Sequence, residues 1–124
     1  MTPRALLKSQ ITEEMVVREI QERLSYDGIK VFRVRERIPT KTKCGNYCRK
    51  SVAGIPDLIG WIPRSMLCTR PVFIECKRHV GADYRPSQIA FIDQARADGC
   101  IAIFADCWED VRRGFKEFGI ELPA

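Results

Sequence analysis

Apolar residues recur at helical spacing in the first part of the chain and at strand spacing after it. From Thr12, an N-cap candidate, the apolar positions lie three and four residues apart until Asp27 and Gly28 end the pattern, which predicts an α-helix. The apolar residues of this stripe are Val16, Val17, Ile20 and Leu24. Residues 29–38 alternate between apolar and basic side chains and predict a half-buried strand, whereas residues 39–53 have no periodicity and predict a loop or a flexible hairpin.

Short apolar runs and a further helical stretch follow. Residues 55–62 and 71–77 predict two short buried strands, bounded by glycine and proline residues that break regular structure. Pro86 suits the first turn of a second helix and Gly99 suits its end. The apolar run over residues 100–105 then predicts one more strand.

A last helix is predicted over residues 107–118, with Asp106 and Glu109 as its capping pair. The order is therefore helix, three strands, helix, strand, helix. A sheet that begins as a meander and is extended through a helical crossover is a mixed α/β fold. At 124 residues, the chain is predicted to form a single domain over residues 1–124.

Positive charge is concentrated in one segment. The chain has 21 Lys and Arg residues against 16 Asp and Glu residues, a net charge of +5. Residues 30–50 hold eight basic residues and one acid, so this segment carries +7 and the rest of the chain −2. Its basic residues are Lys30, Arg33, Arg35, Arg37, Lys41, Lys43, Arg49 and Lys50, of which the three arginines up to Arg37 share one face of the predicted strand. This distribution indicates a polyanionic partner such as nucleic acid, and a solvated charged strand and loop is the alternative.

The cysteines and the N-terminus predict a cytoplasmic protein. Six cysteines are spread along the chain, some of them in apolar segments, which favours thiols over a disulfide framework. The N-terminal residues lack the apolar stretch of a secretory signal, and no apolar run approaches the roughly 18 residues of a membrane span. Cys44 and Cys48 have a spacing found in zinc sites, but no clear second pair accompanies them, so free thiols are favoured over structural zinc.

Two of the predicted strands carry ionisable residues inside apolar runs: Asp57 in the first and Glu75 and Lys77 in the second. Charged side chains are rarely buried unless they are paired or bind a metal ion. Glu75 and Lys77 are two residues apart and therefore share one face of their strand. If the strand of Asp57 pairs with theirs, two carboxylates and an ammonium converge, which suits a hard divalent cation such as Mg²⁺ beside a water or a phosphate. The alternatives are that Asp57 only begins a turn and that Glu75 and Lys77 form an exposed pair on an edge strand.

An aspartate in one strand followed by Glu-x-Lys in the next, with Pro56 directly before Asp57, resembles the PD-(D/E)xK nuclease superfamily. The surrounding segments are Gly54-Ile55-Pro56-Asp57, Phe73-Ile74-Glu75-Cys76-Lys77-Arg78, and Arg85-Pro86-Ser87-Gln88 at the start of the helix that ends at Asp98-Gly99. As a set they resemble the virus-type replication-repair nuclease (VRR-NUC) family over nearly the whole chain. This resemblance implies a restriction-endonuclease-like αβββαβ core, a mixed sheet flanked by helices, with a C-terminal helix. It also implies a Mg²⁺- or Mn²⁺-dependent DNA endonuclease.

The same resemblance implies which residues form the site. By position, the catalytic residues are Asp57, Glu75, Lys77, Gln88 and Glu13. The implied metal ligands are Asp57, Glu75, the backbone carbonyl of Cys76 and, through a water molecule, Glu13. Glu14 also lies in the first turn of the predicted helix and is the alternative to Glu13.

The resemblance also bears on partners. Stand-alone members of the family are similar to nickases that act as dimers on four-way (Holliday) junctions, which implies a homodimer, a branched DNA substrate and a phage or prophage source. The expected DNA contacts are Arg33, Arg35, Arg37, Lys41, Lys43, Arg49, Lys50, Arg78 and Arg85. Two alternatives stay open: a non-enzymatic basic nucleic-acid-binding module, and a nuclease that acts on flaps or single strands.

Overall fold

The computed structural model of the chain describes residues 8–34, 40–41, 47–48, 54–63 and 69–124. Its α-helices are α1 (Glu13–Tyr26), α2 (Pro86–Ala97) and α3 (Trp108–Lys116), and a short 3-10 helix (Lys8–Gln10) precedes them. Its strands are β1 (Lys30–Arg33), β2 (Thr40–Lys41), β3 (Tyr47–Cys48), β4 (Leu58–Trp61), β5 (Pro71–Cys76) and β6 (Ile101–Ala105). Within these ranges, no helix is long and apolar enough to cross a membrane.

α1 is determined by its N-cap and its apolar stripe. The Oγ1 atom of Thr12 accepts a hydrogen bond from the backbone nitrogen of Met15 at 3.2 Å. Glu13 and Glu14 occupy the first turn, where the helix dipole favours negative charge. The apolar residues of the predicted stripe are all buried, and Gly28 follows the helix with a φ of 79°. The first predicted helix is therefore confirmed.

Four of the strands form one sheet in the order β1, β4, β5, β6. β4 pairs antiparallel with both β1 and β5, whereas β5 and β6 pair in parallel. Parallel neighbours need a crossover connection, and α2 lies in the connection between β5 and β6. The structure is thus mixed α/β, consistent with a restriction-endonuclease-like core with a C-terminal helix, and the predicted fold class is confirmed.

The two faces of the sheet are covered by different helices. On one face, Val72, Ile74 and Cys76 of β5 join the buried stripes of α1 and α3 in the main core. On the other face, Phe73 packs with Ile92 of α2 in a smaller apolar cluster. Because alternate residues of a strand point to opposite faces, Glu75 lies on the α2 side, the side of Phe73.

Some strand boundaries differ from the predicted ones. β1 ends at Arg33, and residues 35–38 of the predicted strand lie outside the described residues. β4 begins at Leu58 rather than at residue 55, because the side chain of Asp57 accepts a hydrogen bond from β5 in place of a backbone carbonyl. The predicted loop over residues 39–53 contains the short antiparallel pair β2–β3, which agrees with the hairpin alternative.

The predicted capping pair of the last helix is wrong. α3 begins after Cys107, whose side chain makes no capping hydrogen bond. The backbone nitrogen of Asp106 donates to Oδ2 of Asp110 at 3.0 Å, whereas Glu109 pairs with Arg112 at 2.9 Å. Because the helix begins one residue later than predicted, Asp110 rather than Glu109 reaches back over the first turn.

Gly60 allows β1 and β4 to approach each other. It lies opposite Val31 in the antiparallel pair. A Cβ atom on Gly60 would lie 1.9 Å from the carbonyl oxygen of Lys30 and 2.7 Å from Cα of Val31. Both are backbone atoms, so no change of rotamer can relieve the overlap.

We therefore expect Gly60→Ala to lower the free energy of unfolding by about 2 kcal/mol or more, because the methyl group overpacks the strand pair. Gly28→Ala is the control, since a Cβ there meets nothing within 4 Å and the cost, about 1 kcal/mol, comes only from the positive φ. Urea unfolding followed by circular dichroism measures both. Equal losses in the two variants would contradict the close pairing of β1 and β4.

Candidate metal centre

Three carboxylates meet where β4 begins and β5 ends. The antiparallel register pairs Leu58 with Ile74, so the preceding residue Asp57 comes beside the following residue Glu75. The first turn of α1 adds Glu13. Carboxylate oxygens of these three acids lie within 4.8 Å of one another, and the group could hold a metal ion.

Asp57 is fixed by both neighbouring strands. Its Oδ2 atom accepts a hydrogen bond from the backbone nitrogen of Cys76 at 2.8 Å. Its carbonyl oxygen accepts one from the nitrogen of Val34, also at 2.8 Å. Burial raises the pKa of the Asp57 carboxyl, and the hydrogen bond from Cys76 opposes the rise.

Glu75 is the most buried member of the group, with 3% of its surface exposed. Its Oε1 atom accepts a hydrogen bond from Gln88, but Oε2 is buried and has no hydrogen-bond partner among the described residues. Burial, with the nearby carboxylate of Asp57, raises the pKa of Glu75 to about 7, and Lys77 opposes the rise. A buried oxygen of this kind is rare unless it binds a cation or an ordered water.

Lys77 is also buried, with 4% of its surface exposed. Its Nζ atom donates to Oε1 of Gln88 at 2.6 Å and to the carbonyl oxygen of Asp83. It lies 3.7 Å from Oε1 of Glu75 and 5.2 Å from the centre of the Tyr84 ring. The ammonium is therefore held beside the carboxylates by neutral oxygens on its other sides.

Gln88 connects the acid to the lysine. Its Nε2 atom donates to Oε1 of Glu75 at 2.8 Å, and its Oε1 atom accepts from Lys77. The same Oε1 atom accepts from the backbone nitrogen of Arg85 at 3.2 Å, which also caps the start of α2. The donor and acceptor requirements of its neighbours thus fix the orientation of the Gln88 amide.

The structure separates Glu13 from Glu14. Glu13 lies in the carboxylate group, where burial and the charge of Asp57 raise its pKa. Glu14 instead accepts hydrogen bonds from both terminal nitrogens of Arg33. Arg33, a predicted DNA contact, is therefore in an ion pair with Glu14.

The remaining predicted DNA contacts are described only in part. Arg78 is exposed and donates to the carbonyl oxygen of Gly81 at 3.4 Å, while Arg85 lies 3.6 Å from the carboxylate of Asp83. For Lys41 only the backbone is described, in β2. The predicted contacts Arg35, Arg37, Lys43, Arg49 and Lys50 lie outside the described residues, as does Cys44 of the cysteine pair.

Sequence reasoning missed two contributions to this site. The backbone carbonyl of Asp83 holds Lys77, a role that no side-chain pattern indicates. Gly54 has a φ of 88°, and a Cβ atom on it would lie 2.4 Å from the carbonyl oxygen of Ser87. The loop before Asp57 therefore packs directly on the first turn of α2, and the glycine three residues before the aspartate was the available signal.

A second group of potential ligands lies at the start of α3. Ligand atoms of Asp106, Cys107 and Asp110 lie within 4.8 Å of one another, and Nδ1 of His79 is 3.4 Å from Oδ2 of Asp106. Asp110 also pairs with Arg113 at 3.2 Å. Acids are favoured at the start of a helix by its dipole, which accounts for this group without a metal ion.

The five side chains that the VRR-NUC resemblance implies are brought together by the fold. They are Glu13, Asp57, Glu75, Lys77 and Gln88. Comparison of the chain with protein-family models, with curated proteins and with solved structures finds no match. The family assignment therefore stays a prediction.

The raised pKa of Glu75 predicts a pH dependence of stability in the metal-free protein. The folded chain keeps a proton that the unfolded chain releases between pH 4.5 and about 7, so stability is expected to fall as the pH rises through this window. The raised pKa of Glu75 corresponds to a loss of roughly 3 kcal/mol in the free energy of unfolding across this window. Urea unfolding in EDTA at a series of pH values measures the slope.

Glu75→Gln is expected to make that slope less steep, because a glutamine does not titrate, while the raised pKa values of Asp57 and Glu13 maintain part of it. Glu22→Gln, at an exposed position of α1, is the control for replacing one carboxylate by an amide. Parallel slopes in wild type and Glu75→Gln would contradict the burial of an ionisable Glu75.

Proposed function

We propose that the protein is a Mg²⁺- or Mn²⁺-dependent endonuclease that hydrolyses phosphodiester bonds in DNA. The observation that carries the proposal is the buried Oε2 atom of Glu75, which has no hydrogen-bond partner among the described residues and belongs to the group of Glu13 and Asp57. A buried carboxylate oxygen lowers stability unless something binds it. Residues that lower stability without an evident structural gain are expected at functional sites.

The chemistry of the ligands favours a hard cation. All three side chains offer carboxylate oxygens, which Mg²⁺ and Mn²⁺ prefer. The thiol of Cys76 belongs to the main core, and burial raises its pKa, so it is neutral and does not compete as a ligand. Its backbone carbonyl, at the end of β5, is the further ligand that we propose, with Glu13 acting through a water molecule.

Hydrolysis requires a water oxygen to bond to phosphorus while an ester P–O bond breaks. The attacking water loses one proton and the leaving oxygen takes one up. The metal ion would supply the positive charge that stabilises the phosphate oxygens during this change. Lys77 donates a hydrogen bond towards the water or a phosphate oxygen and so orients the nucleophile. Gln88 keeps Lys77 and Glu75 at a fixed separation.

The charge distribution supports DNA as the substrate. Residues 30–50 carry a net +7, and a basic surface attracts the phosphate backbone independently of sequence. Arg78 and Arg85 lie close enough to the carboxylates for their charges to oppose the rise in the pKa of Glu13. A branched substrate such as a four-way junction, and action as a homodimer, are proposed from the VRR-NUC resemblance.

Cleavage of matched duplex, flap and four-way-junction DNA with Mg²⁺, Mn²⁺ or EDTA tests the activity. Asp57→Asn and Glu75→Gln are each expected to abolish metal-dependent cleavage and to leave DNA affinity within about threefold, because they remove metal ligands and not phosphate contacts. Asp93→Asn, an exposed acid of α2, is the control for removing one negative charge. Full nicking activity in either ligand variant would contradict the site, and DNA binding without cleavage under every condition would favour a non-enzymatic binding module.

Replacement of Lys77 separates chemistry from metal binding. Lys77→Ala and the better-filling Lys77→Met are expected to slow single-turnover cleavage about 100-fold or more, because a positioned proton-transfer or charge-stabilising group is lost. Mn²⁺ affinity, measured by calorimetry, should persist because the proposed ligands are oxygens. Lys116→Ala, at an exposed position of α3, is the control. Loss of the metal together with the activity would mean that Lys77 only balances the charge of the carboxylates.

A further inference from the structure

Two aromatic side chains are exposed on the face of the sheet to which Glu75 points. Phe32 of β1 is 55% exposed and Trp61 of β4 is 45% exposed. Their ring centres lie 5.5 Å apart, with the planes inclined at 35°. α2 packs on the same face, but over β5 and β6, at the opposite edge of the sheet from β1. We call Phe32 and Trp61 the aromatic pair.

The aromatic pair and the candidate metal centre share one surface. Ile59 of β4 lies opposite both Phe32 and Phe73 in the register, and side chains alternate along each strand. Phe32, Ile59 and Trp61 therefore point to the side of Phe73 and Glu75. At a strand rise of about 3.3 Å per residue, Trp61 is about 13 Å from Asp57 along the strand. That distance corresponds to about four stacked base steps of 3.4 Å.

The charge beside the aromatic pair favours a nucleic acid over an apolar partner. Lys30 lies opposite Trp61, is exposed, and shares the face of Phe32. It is also the first residue of the basic segment 30–50. The aromatic pair could act only as a cross-strand contact that stabilises the edge of the sheet. That role does not require both rings to remain half exposed beside a lysine. Exposed aromatic rings interleaved with basic residues are the arrangement used to bind single strands.

We propose that the aromatic pair is a stacking platform for unpaired bases of the nucleic acid whose backbone reaches the carboxylates. The proposal rests on the proposed function and narrows its substrate to DNA with unpaired nucleotides a few positions from the cut, as in a flap or an opened branch point. Bases of an intact duplex are stacked on each other and do not present their faces to such a platform. Stacking on an aromatic ring is tolerant of sequence, because every base has a π-face.

Intrinsic fluorescence in EDTA tests the proposal without any need for cleavage. The chain has two tryptophans, and Trp108 is only 5% exposed, so Trp61 is the one that a bound base can reach. Oligo(dT) is expected to quench the wild-type emission, whereas a long linear duplex at the same phosphate concentration, which has no loop and few ends, should leave it unchanged. The Trp61→Phe variant should lose the quenching and keep its affinity for oligo(dT) within about threefold, because a phenyl ring still stacks.

Leucine variants separate stacking from apolar contact. Trp61→Leu and Phe32→Leu are each expected to weaken oligo(dT) binding about tenfold and to leave duplex binding unchanged, because leucine is apolar but offers no ring. Tyr26→Leu is the control, since Tyr26 is an 89% exposed aromatic at the far end of α1 from Glu13. Unchanged oligo(dT) binding in Trp61→Leu would overturn the platform. Dissociation of a dimer by Trp61→Leu in sedimentation experiments would also overturn it, because a second copy would then cover this face.

Failure of the platform and failure of the nuclease are distinguishable. Metal-dependent cleavage with no quenching and no preference for unpaired bases would overturn the platform and leave the nuclease. Quenching by oligo(dT), together with no cleavage of duplex, flap or four-way-junction DNA in Mg²⁺ or Mn²⁺, would support the platform and overturn the nuclease.

Discussion

The arrangement of the site depends on the burial of one carboxylate, that of Glu75. Removing an isolated carboxylate from water costs several kcal/mol unless an opposite charge compensates it and its lone pairs accept hydrogen bonds. Gln88 binds one oxygen and Lys77 lies 3.7 Å from that same atom, which leaves Oε2 without a partner among the described residues. The nearest further charges, those of Asp57 and Glu13, are also negative and oppose ionisation of Glu75. A divalent cation is the simplest group that satisfies all three carboxylates at once.

The rest of the fold places groups around this carboxylate. The antiparallel pairing of β4 and β5 brings Asp57 beside Glu75, and the crossover through α2 places Gln88 over both Glu75 and Lys77. Gly54 allows the loop before Asp57 to pack on the start of α2, because any side chain there would meet the backbone of Ser87. Side chains alternate along β5, so the even-numbered residues pack in the main core. Glu75, and Lys77 two residues later, face the site.

Much of this arrangement could be predicted from sequence, because it follows from strand periodicity. The two-residue spacing of Glu75 and Lys77 required a shared face, and the order of elements required a mixed sheet. Other features depend on contacts between distant segments. Periodicity favoured Glu13, which precedes Val16 by three residues, but could not exclude Glu14, which precedes the equally buried Val17 by three. The structure separates the two acids through the pairing of Glu14 with Arg33. The capping role of Asp110 and the carbonyl of Asp83 were also out of reach, because the first depends on where the helix begins and the second on backbone geometry.

The proposed function depends on a metal ion bound by the group of Glu13, Asp57 and Glu75. Calorimetric titration of the DNA-free protein with Mn²⁺ at pH 7.5 tests this most directly, with Glu75→Gln for this group and Asp106→Asn for the second group at the start of α3. If this group binds the metal, wild type and Asp106→Asn bind Mn²⁺ with the same affinity and Glu75→Gln does not bind it. Equal binding by wild type and Glu75→Gln, or a loss confined to Asp106→Asn, would contradict the proposed metal site.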